Sequence, residues 1–238
     1  MVEFTDHVVM VAGAAGNLGQ AVARAFSAAG ASLVLLDHVP DRLPGLFPGG
    51  AGASEPLLLG SVDVTEPASV ERAVQAALAR FGRIDVLANT VGGYRAGKPV
   101  HETSLDTWQF MLDLNARTAF LLSRAVVPHM LAQGGGKIVH VGARAALSGG
   151  ARAAAYSASK AALVRLVESL AAELRRQKVN VNCVLPGTID TPDNREAMPQ
   201  ADHSRWVPPE AIADVILFLA SDAARAIHGA AVPVYGES

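Results

Sequence analysis

The sequence predicts an α/β fold, with one doubly wound parallel sheet of about seven strands and helices on both faces, forming a single domain over residues 1–238. Three observations predict it. Short apolar, β-branched runs alternate with longer segments of helical periodicity along the whole chain. A glycine-rich turn at residues 13–19 joins the first apolar run directly to the first helical segment. With 238 residues, 50% hydrophobic and 18% charged, the chain can build a large core and is unlike disordered sequence.

The elements follow in order. Residues 7–12 read as a strand buried on both faces. Helix is expected over 21–29, stopped by Gly30, and a second strand over 32–36. The stretch 39–54 is rich in Pro and Gly and reads as an irregular connection. A third strand is expected at 57–62, then a helix from Thr65 or Glu66, with Pro67 in its first turn, to Phe81, ended by Gly82. A fourth strand at 84–88 closes on Asn89-Thr90-Val91-Gly92-Gly93. After a polar loop at 94–103 comes a long helical segment, 104–130, that Pro128 should kink or end. Strand 137–141, a small-residue loop at 142–154 and an alanine-rich helix at 155–176 come next. Strand 179–185 precedes a long loop, 186–208, whose length suggests a lid or binding loop. Helix 209–220 and strand 231–235 complete the chain.

The totals exclude several functions. The formal net charge is −2 with no block of like charge, so neither nucleic acid nor an anionic membrane is an expected partner. The single cysteine, Cys183, excludes an internal disulfide framework and reads as a buried, inert thiol. No metal site is expected, because the histidines show no ligand spacing; His101, His129, His140, His203 and His228 read as structural. Residues 1–6 do not read as a signal peptide, and no apolar run reaches the roughly 18 residues that span a bilayer. A cytoplasmic protein acting on a small molecule is the expectation.

Candidate chemistry gathers at strand ends. The glycines of 13–19 let the backbone approach a pyrophosphate, and the following helix offers its first N–H groups to it. Asp37 closes the second strand, where a carboxylate can accept both ribose hydroxyls of an adenosine and repel a 2′-phosphate. NAD(H) is therefore expected over NADP(H). Asp63, after the third strand, can accept from an adenine amino group. Tyr156 and Lys160 stand four apart on one helix face. An ammonium beside a phenol should lower the phenol pKa, making it a usable acid–base group.

Taken together, Gly13 to Gly19, Asp37, Asp63, Asn89-Thr90-Val91-Gly92, Asn115, Tyr156-Ser157-Ala158-Ser159-Lys160 and Pro186-Gly187-Thr188-Ile189-Asp190-Thr191 resemble the short-chain dehydrogenase/reductase family over nearly the whole chain. The resemblance implies a Rossmann-type fold and a nicotinamide cofactor. It implies that Tyr156 donates the proton, Lys160 holds the nicotinamide ribose and lowers the tyrosine pKa, and Asn115 organises a water relay. The cofactor would lie against Gly13, Ala15, Asn17, Leu18, Gly19, Asp37, Asp63, Val64, Asn89, Val91, Tyr156, Lys160, Pro186, Gly187 and Ile189. It also implies a homodimer or homotetramer, with the long helices pairing across a two-fold axis.

One departure stands out. The family places a serine thirteen residues before the tyrosine, and here that residue is Ala143. Alanine donates no hydrogen bond. Losing one oxyanion donor typically costs about 10²–10³ in turnover, or ~3–4 kcal/mol. Asn17 also occupies a position that is usually glycine, with Gly16 one residue early. Gly142 to Leu147, Leu185-Pro186, Asp190-Thr191-Pro192, Asn194-Arg195, Met198-Pro199, Ala201-Asp202, Ser204, Trp206 and Pro208 are similar to the dihydropteridine reductase lineage of that family, which lacks the serine. Asn115 and a weaker first half separate the chain from that lineage. The leading expectation is an NADH-dependent reductase of a quinonoid or C=N acceptor such as quinonoid dihydropteridine, since such an acceptor needs a proton donor but little oxyanion stabilisation. The alternative is a general carbonyl or alcohol dehydrogenase, with Ser148 or a water in the serine's place. A non-catalytic dinucleotide-binding protein is the third. Tyr94, Ala143, Ser148 and Trp206 are the candidate substrate contacts, with Tyr94 and Trp206 expected to stack on a flat ring. Arg144, Arg152, Arg195 and Met198 border the same loops.

Overall fold

A computed structural model describes residues 3–48 and 55–237. Its centre is one seven-stranded sheet in which all neighbours run parallel, in the order β3-β2-β1-β4-β5-β6-β7. The strands are β1 Val8–Ala12, β2 Ser32–Leu36, β3 Leu57–Leu59, β4 Val86–Asn89, β5 Gly136–Val141, β6 Val179–Pro186 and β7 Ala231–Val234. The helices are α1 Asn17–Ala28, α2 Arg42–Leu46, α3 Pro67–Phe81, α4 Leu105–Leu112, α5 Thr118–Ala132, α6 Ala154–Leu174, α7 Pro192–Ala197 and α8 Pro209–Ala220.

Alternation along β1 shows how the two cores arise. Met10 and Ala12 join one cluster with Val74, Leu122 and Val167, under α3, α5 and α6. Val9 and Val11 join the other with Val22, Phe26 and Ile216, under α1 and α8. Successive side chains leave a strand on opposite faces, so a strand between two helical layers must be apolar throughout. All five residues of β1 are buried.

Several boundaries differ from expectation. The third strand stops at Leu59, not 62, because the chain turns at Gly60, where a Cβ would strike the Pro40 backbone, and Ser61 takes φ 58°. Within the expected connection 39–54, residues 42–46 form α2, and residues 49–54 lie outside the described residues. Segment 104–130 is two helices joined by a π-helical turn, Asp113–Arg117. Pro128 does not end α5, which runs on to Ala132. The helix is held there by the burial of Val126 and Met130 on either side of the proline, so packing outweighs one missing N–H. The expected lid or binding loop at 186–208 carries regular structure. It contains α7, and Thr188, Ile189 and Asp190 pair with Val207.

Strand order reverses between β1 and β4, where Ala12 lies beside Asn89. Crevices at such points, beyond the carboxyl ends of the strands, are where open α/β sheets bind ligands. No helix among the described residues is long and apolar enough to cross a membrane.

Candidate active site

The turn after β1 is built for close approach. Gly13 takes φ 77°, and its amide and that of Ala14 both donate to the Leu36 carbonyl at 3.0 Å. A Cβ on Gly19 would collide with the Gly13 carbonyl oxygen, so α1 can sit against the turn only with glycine there. Gly16, by contrast, has ordinary extended backbone as the N-cap of α1, and Asn17 begins the helix. The shift of one glycine therefore leaves the turn intact. Gln20 donates to the Gly16 carbonyl at 2.9 Å. The amides of Asn17, Leu18 and Gly19 precede that first helical bond and are available to an anion. This cradle fits a dinucleotide pyrophosphate.

Asp37 is buried at the end of β2. Its carboxylate accepts from the Ala15 amide at 3.1 Å and the Val39 amide at 3.0 Å. A carboxylate has about four acceptor positions, so these two amides leave acceptor capacity on Asp37. Arg42 Nη2 donates to the Ala15 carbonyl at 3.1 Å. Arg42 stands five residues beyond Asp37 and is brought back to the turn by α2, so nothing in the local pattern around Asp37 marks it. Asp63 accepts from the Thr65 hydroxyl at 2.6 Å and its amide at 2.8 Å, and the hydroxyl is the main reason its pKa lies below the usual carboxylate value. Val64 is buried behind it.

At the end of β4, Asn89 Oδ1 accepts from the Val91 amide at 3.1 Å, and Thr90 Oγ1 donates to the Ala12 carbonyl at 2.7 Å. The Asn89 amide nitrogen lies 3.2 Å from His140 Nδ1, and Ser123 Oγ lies 3.0 Å from His140 Nε2. His140 is fully buried, and burial first, then Lys160, pushes its pKa down to about 3. It is a neutral structural histidine.

The π-turn points Asn115 inward. Its Nδ2 donates to the Gly93 carbonyl at 3.1 Å and to Ser159 Oγ at 3.0 Å, while its Oδ1 accepts from the Gly93 amide at 3.1 Å. A Cβ on Gly92 would lie 3.0 Å from both Asn115 Oδ1 and Lys160 Nζ. Glycine at that position lets the two groups approach each other. Gly92 and Ser159 are thus parts of the site whose positioning roles were not read from the sequence.

Lys160 is 4% exposed, and its Nζ donates to the Val141 carbonyl at 2.9 Å. Burial lowers its pKa to about 8. Tyr156 does not follow expectation. Burial, with Tyr94 second, pushes its phenol up to about 12. The reason is that removing a phenolate from water costs more than this arrangement returns, with the ammonium directed at a carbonyl. The phenol keeps its proton at neutral pH and is a hydrogen donor.

Tyr94 is 68% exposed and stands edge-on to Tyr156, with ring centroids 4.8 Å apart. Ala143, 8% exposed just past β5, offers no donor. Ser148 lies exposed beyond the short turn Arg144–Ala146. Trp206 corrects the stacking expectation. It is 8% exposed, with its ring centroid 4.4 Å from that of His203, and serves as packing in the 186–208 segment. Its large ring gains more from burial than from standing in water. Arg195 is also occupied, donating twice to Asp190 at 2.6 and 2.8 Å. Pro186 is buried at the end of β6, and the Gly187 amide donates to the Val234 carbonyl at 3.0 Å, so Gly187 and Ile189 emerge at the same sheet edge as Asn89.

The family model described as enoyl-(acyl carrier protein) reductase matches residues 13–236. The chain belongs to the short-chain dehydrogenase/reductase family. It is 36% identical to D-threitol dehydrogenase of Mycolicibacterium smegmatis, over 96% of this chain and 91% of that one. It is 33% identical to cis-4-hydroxycyclohexanecarboxylate dehydrogenase of Sinomonas cyclohexanicum, over 98% and 96%. A short-chain type dehydrogenase/reductase from Mycobacterium ulcerans superposes with TM-score 0.93 at 28% identity, covering 99% of this chain and 90% of the other. The protein is an oxidoreductase of the NAD(P)-dependent kind.

Proposed function

We propose that the protein interconverts a small alcohol and its carbonyl compound with NAD(H), Tyr156 passing the proton. The observation that carries this is the convergence of Lys160 and Asn115 on Gly92, with Tyr156 one turn before Lys160 on α6 and edge-on to Tyr94. The cofactor, when bound, supplies or accepts the hydride. Gly13, Ala15, Asn17, Leu18 and Gly19 would hold its phosphates, and Asp37 its adenosine ribose, which favours NADH over NADPH. Asp63, Val64, Asn89, Val91, Pro186, Gly187 and Ile189 would border the rest. In the reducing direction the Tyr156 O–H donates to the oxygen of the new alcohol. Lys160, with a pKa near 8, holds charge close to the ribose and the phenolate that remains. Asn115 fixes the Gly93 backbone and Ser159, keeping the lysine's surroundings in place. The relatives named for threitol and for a hydroxycyclohexanecarboxylate support a hydroxyl-bearing substrate.

Ala143 supports a second reading, a quinonoid or C=N acceptor such as quinonoid dihydropteridine. That acceptor needs little oxyanion stabilisation, and the open face of Tyr94 suits a flat ring. In the first reading a water or Ser148 supplies the missing donor. We further read the protein as a cytoplasmic homo-oligomer. Phe120 and Leu131 on α5, 49% and 41% exposed, support pairing between copies.

The test compares NADH with NADPH on neutral ketones, on the corresponding alcohols with NAD, and on quinonoid dihydropterin. Ketone turnover is expected to dominate. Quinonoid turnover alone would move the assignment to the second reading. Tyr156→Phe should lower turnover by about 10²–10⁴ while NADH still binds. An unchanged rate would remove Tyr156 from the chemistry, and NADH binding without turnover of any compound by the unaltered protein would point to a non-catalytic role.

A further inference from the structure

Beside Tyr156 two loops meet in strained backbone. The Gly97 amide, in the loop between β4 and α4, donates to the Arg152 carbonyl at 2.8 Å. Gly97 has φ 113° and Arg152 φ 61°, both in the left-handed region. Arginine at such an angle is strained, and strain of this kind clusters at ligand sites. The bond holds the two loops around a cavity of about 440 Å³. Tyr94, Arg95, Lys98, Thr103, Thr107 and Arg152 line it. Tyr94 also stands edge-on to Tyr156, and Ala155 next to it lines the cavity, so the cavity adjoins the phenol.

Its charge is one-signed. Three cations line it, and no aspartate or glutamate does. Glu102, close by in sequence, faces His101 at 3.6 Å. Elsewhere arginines find carboxylates: Arg83 with Asp85, Arg117 with Asp113, Arg195 with Asp190. Among the described residues, Arg95, Lys98 and Arg152 have no such partner. Arg95 instead lies 3.6 Å from the Phe110 ring, which supports one face of the guanidinium and leaves its N–H edge for an oxyanion. The Thr107 hydroxyl accepts from Ser104 at 3.0 Å and keeps its own proton to donate.

We propose that this cavity binds an anionic group of the substrate, a carboxylate or phosphate, while the reacting carbon lies at Tyr156. The inference rests on the reading of Tyr156 as the proton donor. Arg95, Lys98 and Arg152 then select acid-bearing hydroxy and oxo compounds over neutral ones.

Levulinate, its methyl ester and the matching oxobutyl phosphate share one ketone and differ only in the far group. With NADH, the charged members should exceed the ester in kcat/KM by about tenfold or more. That excess should shrink toward unity as salt rises and in the variant carrying Arg152→Asn and Lys98→Gln; asparagine tolerates the left-handed angle. Lys98→Gln alone, at an exposed position, should give an intermediate ratio and serves if the double variant does not fold. The better of the two charged ketones identifies the anion. Equal rates for acid and ester, or a ratio untouched by the variants, overturns the proposal. Calorimetric titration of the full chain with NADH, using levulinate and inorganic phosphate, separates the two claims. Binding that the variants lose upholds the cavity even where nothing turns over, and then only the role of Tyr156 falls. No binding overturns the cavity itself.

Discussion

The two edges of the sheet carry polar groups of different kinds. At the amino edge lies a cavity of about 780 Å³, lined by Arg83, Asp85, Lys137, Asn180 and Asp222 among others. Most of its buried polar groups are satisfied, His228 Nδ1 being the exception. Asp85 accepts from the Val8 amide at 2.9 Å and from two nitrogens of Arg83. Lys137 donates to Asn180 at 2.9 Å, and Asn180 donates to the carbonyls of Arg225 and Ile227. At the carboxyl edge the cavity beside Tyr94 is smaller, about 440 Å³, and the groups of that edge outside the cavity are left short. Lys160 is buried with carbonyl contacts and no carboxylate, Tyr156 holds a proton it can give, and Ala143 leaves a donor position bare. Satisfied groups lock strand starts together, and groups with spare valence do chemistry.

The largest expected effect concerns the carboxyl edge in acid. His140 has a folded pKa near 3 against an ordinary value of 6.5. The unfolded chain therefore binds the proton first as pH falls. The stability this histidine contributes is complete above about 6.5 and is lost as pH falls toward 3, at about 1.4 kcal/mol per pH unit. Urea unfolding from pH 6 to pH 4 should show wild type losing stability more steeply than His140→Asn by that slope. Parallel curves would mean the histidine is not held neutral.

Next is Ala143→Ser. Restoring an oxyanion donor should raise turnover of a neutral ketone by about 10² and change a quinonoid acceptor far less. Steady-state rates on both acceptors check this. No gain on the ketone would show that the bare position is not the limit on carbonyl chemistry.

The smallest effect tests the amino edge. Asp85→Asn should cost about 2 kcal/mol in urea unfolding, because a buried acceptor of three donors is weakened while Arg83, 52% exposed, is partly screened. Steady-state constants should stay within about twofold. A kinetic defect would break the division between the edges.

Most of the layer pattern was legible in the sequence, because it depends on local period and punctuation. Strand 32–36, the end of α3 at Gly82 and the span of α8 follow directly from apolar runs, glycine and proline. The candidate groups at strand ends were legible for the same reason, since Gly13, Asp37, Asn89 and Tyr156 stand at fixed points of that pattern. What failed involved competition between distant groups. Pro128 was outvoted by packing, Trp206 was drawn under His203, and the 186–208 segment pairs internally at Val207.

By itself the sequence determined the alternating α/β order, the glycine turn that only small residues permit, the Tyr156/Lys160 face and the absence of a serine at 143. These are matters of spacing and side-chain identity. Only the tertiary structure decided the protonation of those groups and the company they keep. Burial sets Tyr156 high and Lys160 low, the π-turn brings Asn115 to Gly92, and the Gly97–Arg152 bond gathers three cations. Solvent exposure and long-range contact set those energies, and neither is a property of neighbours along the chain.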